Sequence, residues 1–249
     1  MRDDLGAEVP VVARPRRVVS LVPSITETVA RSAPDLLVGA TDYCTHPADL
    51  GIERVGGSKF PDVAAVLALR PDVVLANAEE NREQDVTELR AAGVPVWTTT
   101  AAETVPAALA SLRRMLTVVL RLPAPPWLDA ADREWAVVPP VRATAVTCVW
   151  RRPWVVLGRD TFAGDVLRRL GIANAYGRHP ERYPRPPLYE LRAAPADLVV
   201  LPDEPYPFTP HDGPEAFPGR PCALVDGRHL TWWGPSLASA RAVLTPHLP

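Results

Sequence analysis

Two pairs of carboxylates stand where aliphatic runs of this sequence end. Glu79 and Glu80 come shortly after the first run, and Asp203 and Glu204 follow the second. Continuous β-branched and aliphatic runs are typical of strands in a parallel sheet that is covered on both faces. Because ligands of such sheets bind beyond the carboxyl ends of the strands, these acids could bind a cation, a metal or polar ligand groups.

Each acid pair also has a purely structural interpretation. Acids that precede a helix, here predicted near residues 83–92, stabilise the helix dipole, and this alternative is open for Glu80. Glu79 is the better candidate for a binding cleft. Asp203 and Glu204 lie between two prolines, so a simple polar loop is the alternative for them.

Cys44 and His46 share a loop after another predicted strand. A Cys-x-His pair could supply two soft ligands to a metal, with Glu79 and His229 as weak candidates for the remaining positions. The alternative is a packed loop cysteine beside a surface histidine. Nucleophilic catalysis by Cys44 would need a base and an oxyanion pocket, and the sequence indicates neither.

Aromatic and arginine side chains gather near other predicted strand ends. Trp150 and Arg151, and further on Trp232 and Trp233, combine flat apolar faces with a guanidinium group, a set that suits planar and partly anionic ligands. The alternative is tryptophan packing between lobes. The complete set of candidate ligand-binding residues is Ser24, Tyr43, Cys44, His46, Lys59, Asn77, Glu79, Glu80, Trp150, Arg151, Arg159, Tyr183, Asp203, Glu204, Trp232 and Trp233.

The surroundings of the two acid pairs repeat each other. Residues 70–81 and 191–205 share the order Arg, Pro, Asp, aliphatic run and acids. A unit used twice, far apart in the chain, predicts two similar lobes whose strand ends face each other across a cleft. Strands that alternate with helices at this spacing predict an α/β protein with two Rossmann-like lobes and mostly parallel sheets.

The order of these elements divides the chain into four parts. We expect an extended tail over residues 1–15, an N-terminal α/β lobe over 16–102, a rigid helical connector over 103–140 and a C-terminal α/β lobe over 141–249. Ser24 and Glu27 have capping-box spacing at the start of the first helix. Thr161 is a candidate cap for a helix in the second lobe.

Composition excludes several classes of function. The chain has 249 residues, a net charge of -2 and 47% hydrophobic residues, so we expect a folded protein that binds no nucleic acid. Three cysteines without a C-x-x-C motif indicate neither a disulfide framework nor a zinc knuckle. With no apolar leader and no apolar run of about 18 residues, we expect a cytoplasmic protein without membrane insertion.

The order of several motifs resembles a known family. Residues 20–27 (SLVPSITE), 38–47 (VGATDYCTHP), 55–57 (VGG), 68–75 (ALRPDVVL) and 89–96 (LRAAGVPV) are similar to class III substrate-binding proteins, nearest the vitamin B12-binding branch. The resemblance implies two Rossmann-like lobes joined by a rigid helix, with the ligand held between them. Ligands in this family are cobalamin, haem and iron–siderophores.

Some positions depart from the pattern of that branch. The glutamates that dock onto an ABC permease are replaced by Ala64 and Leu188, although Glu190 lies close. Ser58 and Asn77 stand where aromatic groups flank the corrin ring. Tyr43, Tyr183, Trp232 and Trp233 remain as candidate aromatic walls.

We therefore expect a small-molecule binding protein without a signal peptide, whose ligand is a corrinoid, a tetrapyrrole or a metal chelate. An ABC permease is an uncertain partner, and the sequence leaves the oligomeric state open. One alternative is a cytoplasmic enzyme that uses the same cleft, although no Walker, G-x-G-x-x-G, G-x-S-x-G or H-E-x-x-H motif occurs. Another is an importer receptor whose leader is missing.

Overall fold

The computed structural model describes all residues, 1–249, and the chain divides into two compact units. The first unit comprises residues 1–101 and 109–129, and the second comprises 102–108 and 130–249. The segment predicted as a connector contributes residues to both units.

The first unit is built on a five-stranded sheet. Its strands lie in the order β3-β2-β1-β4-β5, and every neighbouring pair is parallel. In chain order, its elements are β1 (Val18–Ser20), α1 (Pro23–Ser32), β2 (Leu37–Ala40), β3 (Glu53–Arg54), α2 (Val63–Ala68), β4 (Val73–Asn77), α3 (Glu83–Ala91) and β5 (Val96–Thr99).

The central strands of this sheet are fully buried. Val19 and Val74 pair across β1 and β4, and both have no exposed surface. They pack in one hydrophobic cluster with Val86 and Leu89, the apolar residues of α3. This burial of both faces explains why β4 is a continuous apolar run in the sequence.

A helical span follows the first sheet, as the apolar spacing predicts. α4 covers Val105–Arg114, a five-residue π-helical turn covers Met115–Val119, and α5 covers Pro126–Glu134. Leu109, Leu112 and Leu116 are buried. No helix of the chain is both long enough and apolar enough to span a membrane.

The second unit contains another mainly parallel sheet. Its strands lie in the order β10-β9-β6-β7, and β8 also pairs with β6. Only β6 and β7 run antiparallel. The elements are β6 (Ala143–Arg151), β7 (Trp154–Val156), α6 (Phe162–Arg169), β8 (Ile172–Asn174), α7 (Leu188–Ala193), β9 (Leu198–Pro202), β10 (Cys222–Val225), α8 (Gly227–Thr231) and α9 (Leu237–Leu244). The predicted α/β class with mostly parallel sheets is confirmed.

Two details of the local prediction were wrong. Helix α1 begins at Pro23, with Val22 as its N-cap, so Ser24 lies inside the first turn and no capping box forms. Proline fits the first helical position because its missing N–H would have no partner there. Thr161 is the N-cap of α6, but its side chain makes no capping hydrogen bond.

The first nine residues differ from an extended tail. Asp3 is buried, accepts hydrogen bonds from two backbone amides of its own turn and forms an ion pair with Arg90 at 2.7 Å. Asp4 is paired with Arg114 at 2.6 Å. These long-range pairs fix the segment against the first unit, and nothing in the local sequence pattern indicates them.

Candidate functional site

Asn77 ends β4 and shapes the turn that carries the first acid pair. Its side-chain amide donates hydrogen bonds to the Thr99 hydroxyl at 3.0 Å and the Thr100 carbonyl at 2.8 Å. Its carbonyl oxygen accepts the backbone N–H groups of Glu79 and Glu80 at 2.8 and 3.2 Å. Asn77 is buried, so its role in the structure is to join the ends of β4 and β5 and fix the acid turn.

Asn81 joins two further loops at the same edge of the sheet. Its side-chain amide donates to the carbonyl oxygens of Leu21, after β1, and Ser58, after β3. Its carbonyl oxygen accepts the Asn77 backbone N–H at 2.8 Å. The Ser58 hydroxyl is also 3.2 Å from that of Thr41, which follows β2. The carboxyl ends of all five strands are therefore tied together by side-chain hydrogen bonds.

Cys44 lies beneath this edge and has no exposed surface. The Thr26 hydroxyl donates to its sulfur at 3.0 Å, and the Thr41 hydroxyl lies 3.2 Å away. Burial raises the pKa of the Cys44 thiol, and these hydrogen bonds only partly offset that shift. A buried thiol with a raised pKa is a poor nucleophile and metal ligand, so the packed-cysteine interpretation fits the geometry better.

Lys59 and the two glutamates form a charged group on this edge. The Lys59 ammonium donates to the Glu79 backbone carbonyl at 2.5 Å. Burial and the neighbouring Glu79 carboxylate raise the pKa of Glu80 to about 7, although the Lys59 charge lowers it in part. Near neutral pH, Glu80 can thus hold or release a proton and can serve a ligand as hydrogen-bond donor or acceptor.

Aromatic rings are exposed next to this charged group. The Tyr43 side chain is 66% exposed and the Phe60 side chain is 69% exposed. The guanidinium group of Arg82 lies 4.4 Å from the centre of the Phe60 ring. His46 is half-buried, and its Nδ1 lies 3.1 Å from the Thr45 hydroxyl.

Ser24 is the remaining candidate in the first unit. It is buried in α1, and its hydroxyl has no hydrogen-bond partner. The first turn of this helix starts directly beyond β1, at the same carboxyl edge as the other candidates.

The second acid pair follows β9 and is fixed by α8. The Asp203 carboxylate accepts the Gly227 backbone N–H at 2.6 Å, and the Glu204 carboxylate accepts the Trp232 indole N–H at 3.0 Å. Burial raises the pKa of Glu204, and the nearby carboxylates of Asp203 and Asp226 add to that shift. A Cβ atom at Gly227 would meet the Glu204 backbone nitrogen at 2.4 Å, so this approach requires glycine.

An Asp–His–Ser arrangement lies beside this acid pair. The Asp226 carboxylate is 2.8 Å from Nδ1 of His229, and Nε2 of His229 is 3.4 Å from the Ser239 hydroxyl. The backbone and ring of His229 hold the pKa of Asp226 below its usual range, although burial opposes this shift. The Ser239 hydroxyl, however, also donates to the Ser236 carbonyl at 3.2 Å. Its proton is therefore not committed to His229, as an activated nucleophile would require.

Arg151 is held by residues of the second unit itself. It forms ion pairs with Asp212 and Glu215 and lies 5.4 Å from the centre of the Trp154 ring. Trp150, which precedes it, is 43% exposed. Arg151 therefore anchors a surface loop, whereas Trp150 presents aromatic surface.

The last candidates of the second unit differ in exposure. Arg159 is exposed beside Asp160, and the Tyr183 side chain is 38% exposed. Trp232 and Trp233 are both buried. The roles of all these residues in ligand binding stay predictions.

Other groupings bear on metals and cavities. The structure brings no three His, Cys, Asp or Glu side chains together in a group that could hold a metal ion.

A cavity of about 330 Å³ lies at the amino ends of β6, β9 and β10, lined in part by Arg142, Asp197 and His247. It lies at the sheet edge opposite to the candidate residues. Because ligands of open parallel sheets bind beyond the carboxyl ends of the strands, we regard the carboxyl edge as the candidate site.

Three residues that shape the first edge were missed in the sequence. Asn81 was visible only as a polar residue after two acids, and Phe60 and Arg82 were visible only as loop residues. The signal that could have indicated Asn81 is a pair of asparagines four residues apart at a strand exit, because asparagine side chains bond to nearby backbone groups.

Comparisons with known proteins find similarity to several substrate-binding proteins. No family model matches the sequence. The chain is 35% identical over 100 residues to an uncharacterised ABC transporter substrate-binding lipoprotein of Bacillus subtilis, and 35% identical over 83 residues to the vitamin B12-binding protein of Yersinia pestis. These alignments cover 39% and 32% of this chain. The chain spans about a third of the length of each of these relatives, 32% and 30%.

Solved structures are similar over nearly the whole chain. A periplasmic haem-binding protein in complex with two haems is 25% identical, with a TM-score of 0.73 over 93% of this chain and 97% of that one. The vitamin B12-binding protein of Vibrio cholerae is 16% identical, with a TM-score of 0.72 over 94% of this chain and 96% of its own. CeuE of Helicobacter pylori with Ni(II) bound is 14% identical, with a TM-score of 0.81 over 98% of this chain and 87% of its own.

The similarities to the Vibrio cholerae and Helicobacter pylori proteins show the fold alone. The similarity to the haem-binding protein adds 25% sequence identity along the chain. The sequence resemblance to class III binding proteins is confirmed. The chain has homologues among the substrate-binding proteins of ABC transporters, and its fold is that of the class III binding proteins.

Proposed function

We propose that this chain binds a metal-containing small molecule of the corrinoid, tetrapyrrole or metal-chelate class and presents it to an ABC transporter. The observation that carries the proposal is the carboxyl edge of the first sheet, where Asn77, Asn81 and the contact between Thr41 and Ser58 tie the ends of five strands together. A fixed edge needs little ordering when a ligand binds, which favours affinity.

The chemistry of that edge suits this ligand class. Exposed rings of Tyr43 and Phe60 offer apolar contact, and Lys59, Glu79 and Glu80 offer charge and hydrogen bonds. Small-molecule sites combine apolar surface with a few convergent polar groups in this way. The similar proteins include a vitamin B12-binding protein, a haem-binding protein and a protein with Ni(II) bound, which supports the same ligand class.

A ligand panel tests the proposal. The purified chain is titrated with cyanocobalamin, haemin, a ferric siderophore complex and Ni(II)–histidine, and thermal unfolding is followed at each concentration. A ligand at about 100 times its Kd should stabilise the protein by roughly 2.7 kcal/mol, a clear rise in Tm. An unchanged Tm with all four, confirmed by calorimetry, would exclude the proposed ligand class.

A further inference from the structure

Strand β5 lies at one edge of the first sheet, with β4 as its only strand neighbour. All four of its residues, Val96–Thr99, are nevertheless buried. Residues 96–100 read Val-Trp-Thr-Thr-Thr and carry no charge. Uncharged β-branched and aromatic residues favour strand pairing, so an uncovered edge of this composition would be a template for a strand of another molecule.

The backbone carbonyl groups of this region alternate between two directions. Those of Pro95 and Thr99 accept hydrogen bonds from amides of β4 and of the residue that follows it. The carbonyl groups of Val96 and Thr98 therefore face away from β4, towards the free edge of the sheet. In an edge strand these are the groups that a further strand would bond to.

Residues near the start of the chain bond to both outward carbonyl groups. The Asp4 backbone N–H donates to the Thr98 carbonyl oxygen at 3.2 Å. The Arg90 guanidinium donates to the Val96 carbonyl oxygen at 2.9 Å, and the same nitrogen donates to the Asp3 carboxylate at 2.7 Å. The positions that a further strand would occupy are thus taken by the chain itself.

This segment, residues 2–9, is folded back on itself. Arg2 and Glu8 form an antiparallel bridge. The Asp3 side chain has no exposed surface and accepts the backbone N–H groups of Leu5 and Ala7 at 3.0 and 2.9 Å. A turn that closes its own hydrogen bonds covers the edge of β5 without offering a new strand edge of comparable length.

Helix α4 bonds to the same segment. The Asp4 carboxylate accepts the Ser111 hydroxyl at 2.5 Å and Nη1 of Arg114 at 2.6 Å. Arg114 also donates to the Arg2 carbonyl oxygen, and its guanidinium lies 4.8 Å from the centre of the Trp97 ring in β5. The segment is therefore attached both to the edge strand and to the helix beside it.

We propose that residues 2–9 form an edge cap, which keeps β5 from pairing with β5 of a second copy of this chain. Two identical edge strands that pair antiparallel give the self-complementary contact that twofold symmetry requires. Covering an edge with a loop is one of the ways in which proteins block such pairing. The buried Asp3 and the two arginines make the attachment specific, since each carboxylate has a fixed partner.

Sedimentation velocity over a range of concentrations tests the inference. The double variant Asp3→Ala, Asp4→Ala loses both ion pairs, so the cap should detach more often and the apparent dimerisation constant should tighten at least about tenfold. Asp4→Asn removes one pair and should cause a smaller shift in the same direction. Asp129→Ala is the control, since it breaks a surface ion pair with Arg113 and should leave self-association unchanged.

Two further measurements locate the contact. In hydrogen exchange, residues 94–100 of the double variant should be exposed when dilute and protected when concentrated. Adding Thr98→Pro should abolish the association, because it removes an outward N–H that a second strand would need. Circular dichroism checks that each variant is folded, and Asp4→Asn carries the same test where the double variant is not.

The opposite results are equally clear. Self-association of the folded variants equal to that of the wild type would overturn the edge cap. Association in which residues 94–100 stay unprotected, or which persists with Thr98→Pro, would also overturn it, because the contact would then lie elsewhere.

Discussion

The Asn81 side-chain amide lies 2.9 Å from the Ser58 carbonyl oxygen and bridges two loops that are 23 residues apart in the sequence. The same amide nitrogen lies 3.1 Å from the carbonyl oxygen of Leu21. One side chain therefore determines the relative position of three strand exits, including the loop that carries Phe60.

We expect Asn81→Ala to lower the free energy of unfolding by about 2–3 kcal/mol, because it leaves buried backbone groups without partners. Urea unfolding measures the change. Gln84→Ala, on the exposed face of α3, is the matched control and should change stability by less than about 0.5 kcal/mol. Equal effects of the two substitutions would show that the loops are held by other contacts.

Glu80 should make stability depend on pH. Its pKa is raised to about 7 from an ordinary value of 4.5, so between these values the folded state holds more protons than the unfolded state. Stability should therefore fall as the pH rises from about 4.5 to about 7 and then stay level. Glu80→Gln removes the ionisation and should stabilise the protein by roughly 1–3 kcal/mol at pH 8, with little effect at pH 5.

Urea unfolding of the wild type and Glu80→Gln at both pH values checks this prediction. Glu83→Gln, an exposed acid in the first turn of α3, serves as the control because it should show no such difference between the two pH values. A destabilising effect of Glu80→Gln at pH 8 would mean that the carboxylate is stabilised in the folded protein, and the expected direction of the pH dependence would be wrong.

Lys59 offers a direct report on the candidate edge because it is the only lysine of the chain. An amine-reactive ester should modify one side chain, identified by peptide mass spectrometry, and a bound ligand should slow that modification severalfold. Lys59→Arg removes the reaction and keeps the charge. Unchanged labelling in the presence of saturating ligand would place the ligand away from this edge.

Arg151→Lys should destabilise the second unit by about 1–2 kcal/mol. Lysine keeps the charge but cannot bond to Asp212 and Glu215 in the same fixed geometry or stack as well on Trp154. Arg159→Lys is the control, since Arg159 is exposed and its pair with Asp160 spans 3.4 Å. A loss of ligand affinity in Arg151→Lys without a loss of stability would favour the binding role predicted from the sequence.

Gly227→Ala should cost about 1–3 kcal/mol of stability, since its methyl group would collide with the Glu204 backbone. The displaced turn should also alter the hydrogen bond between Glu204 and the Trp232 indole, which tryptophan fluorescence would detect. Gly51→Ala is the control, because its Cβ atom meets nothing within 4 Å. Wild-type stability of Gly227→Ala would contradict the close approach of these two backbone segments.

Local patterns in the sequence were sufficient for the α/β class and for the central elements. The apolar run at β4 and the run at β9 are strands, and α7 spans Leu188–Ala193 as expected. These elements are specified by their own residues, because burial on both faces demands a continuous apolar run and a helix demands its own spacing. The position of the two acid pairs beyond these strands was also predictable, because it follows from where the apolar runs end.

Tertiary structure alone decided how the loops meet. The short strands β3 and β8 exist only because β2 and β6 offer them partners, and their own sequences carry no strand signal. Asn81 bonds to Leu21 across 60 residues, and Arg82 covers Phe60 only after α3 and its Asp85 are in place. Such contacts depend on which chain segments the fold brings together. The periodicity within one segment does not predict which distant segments it will contact.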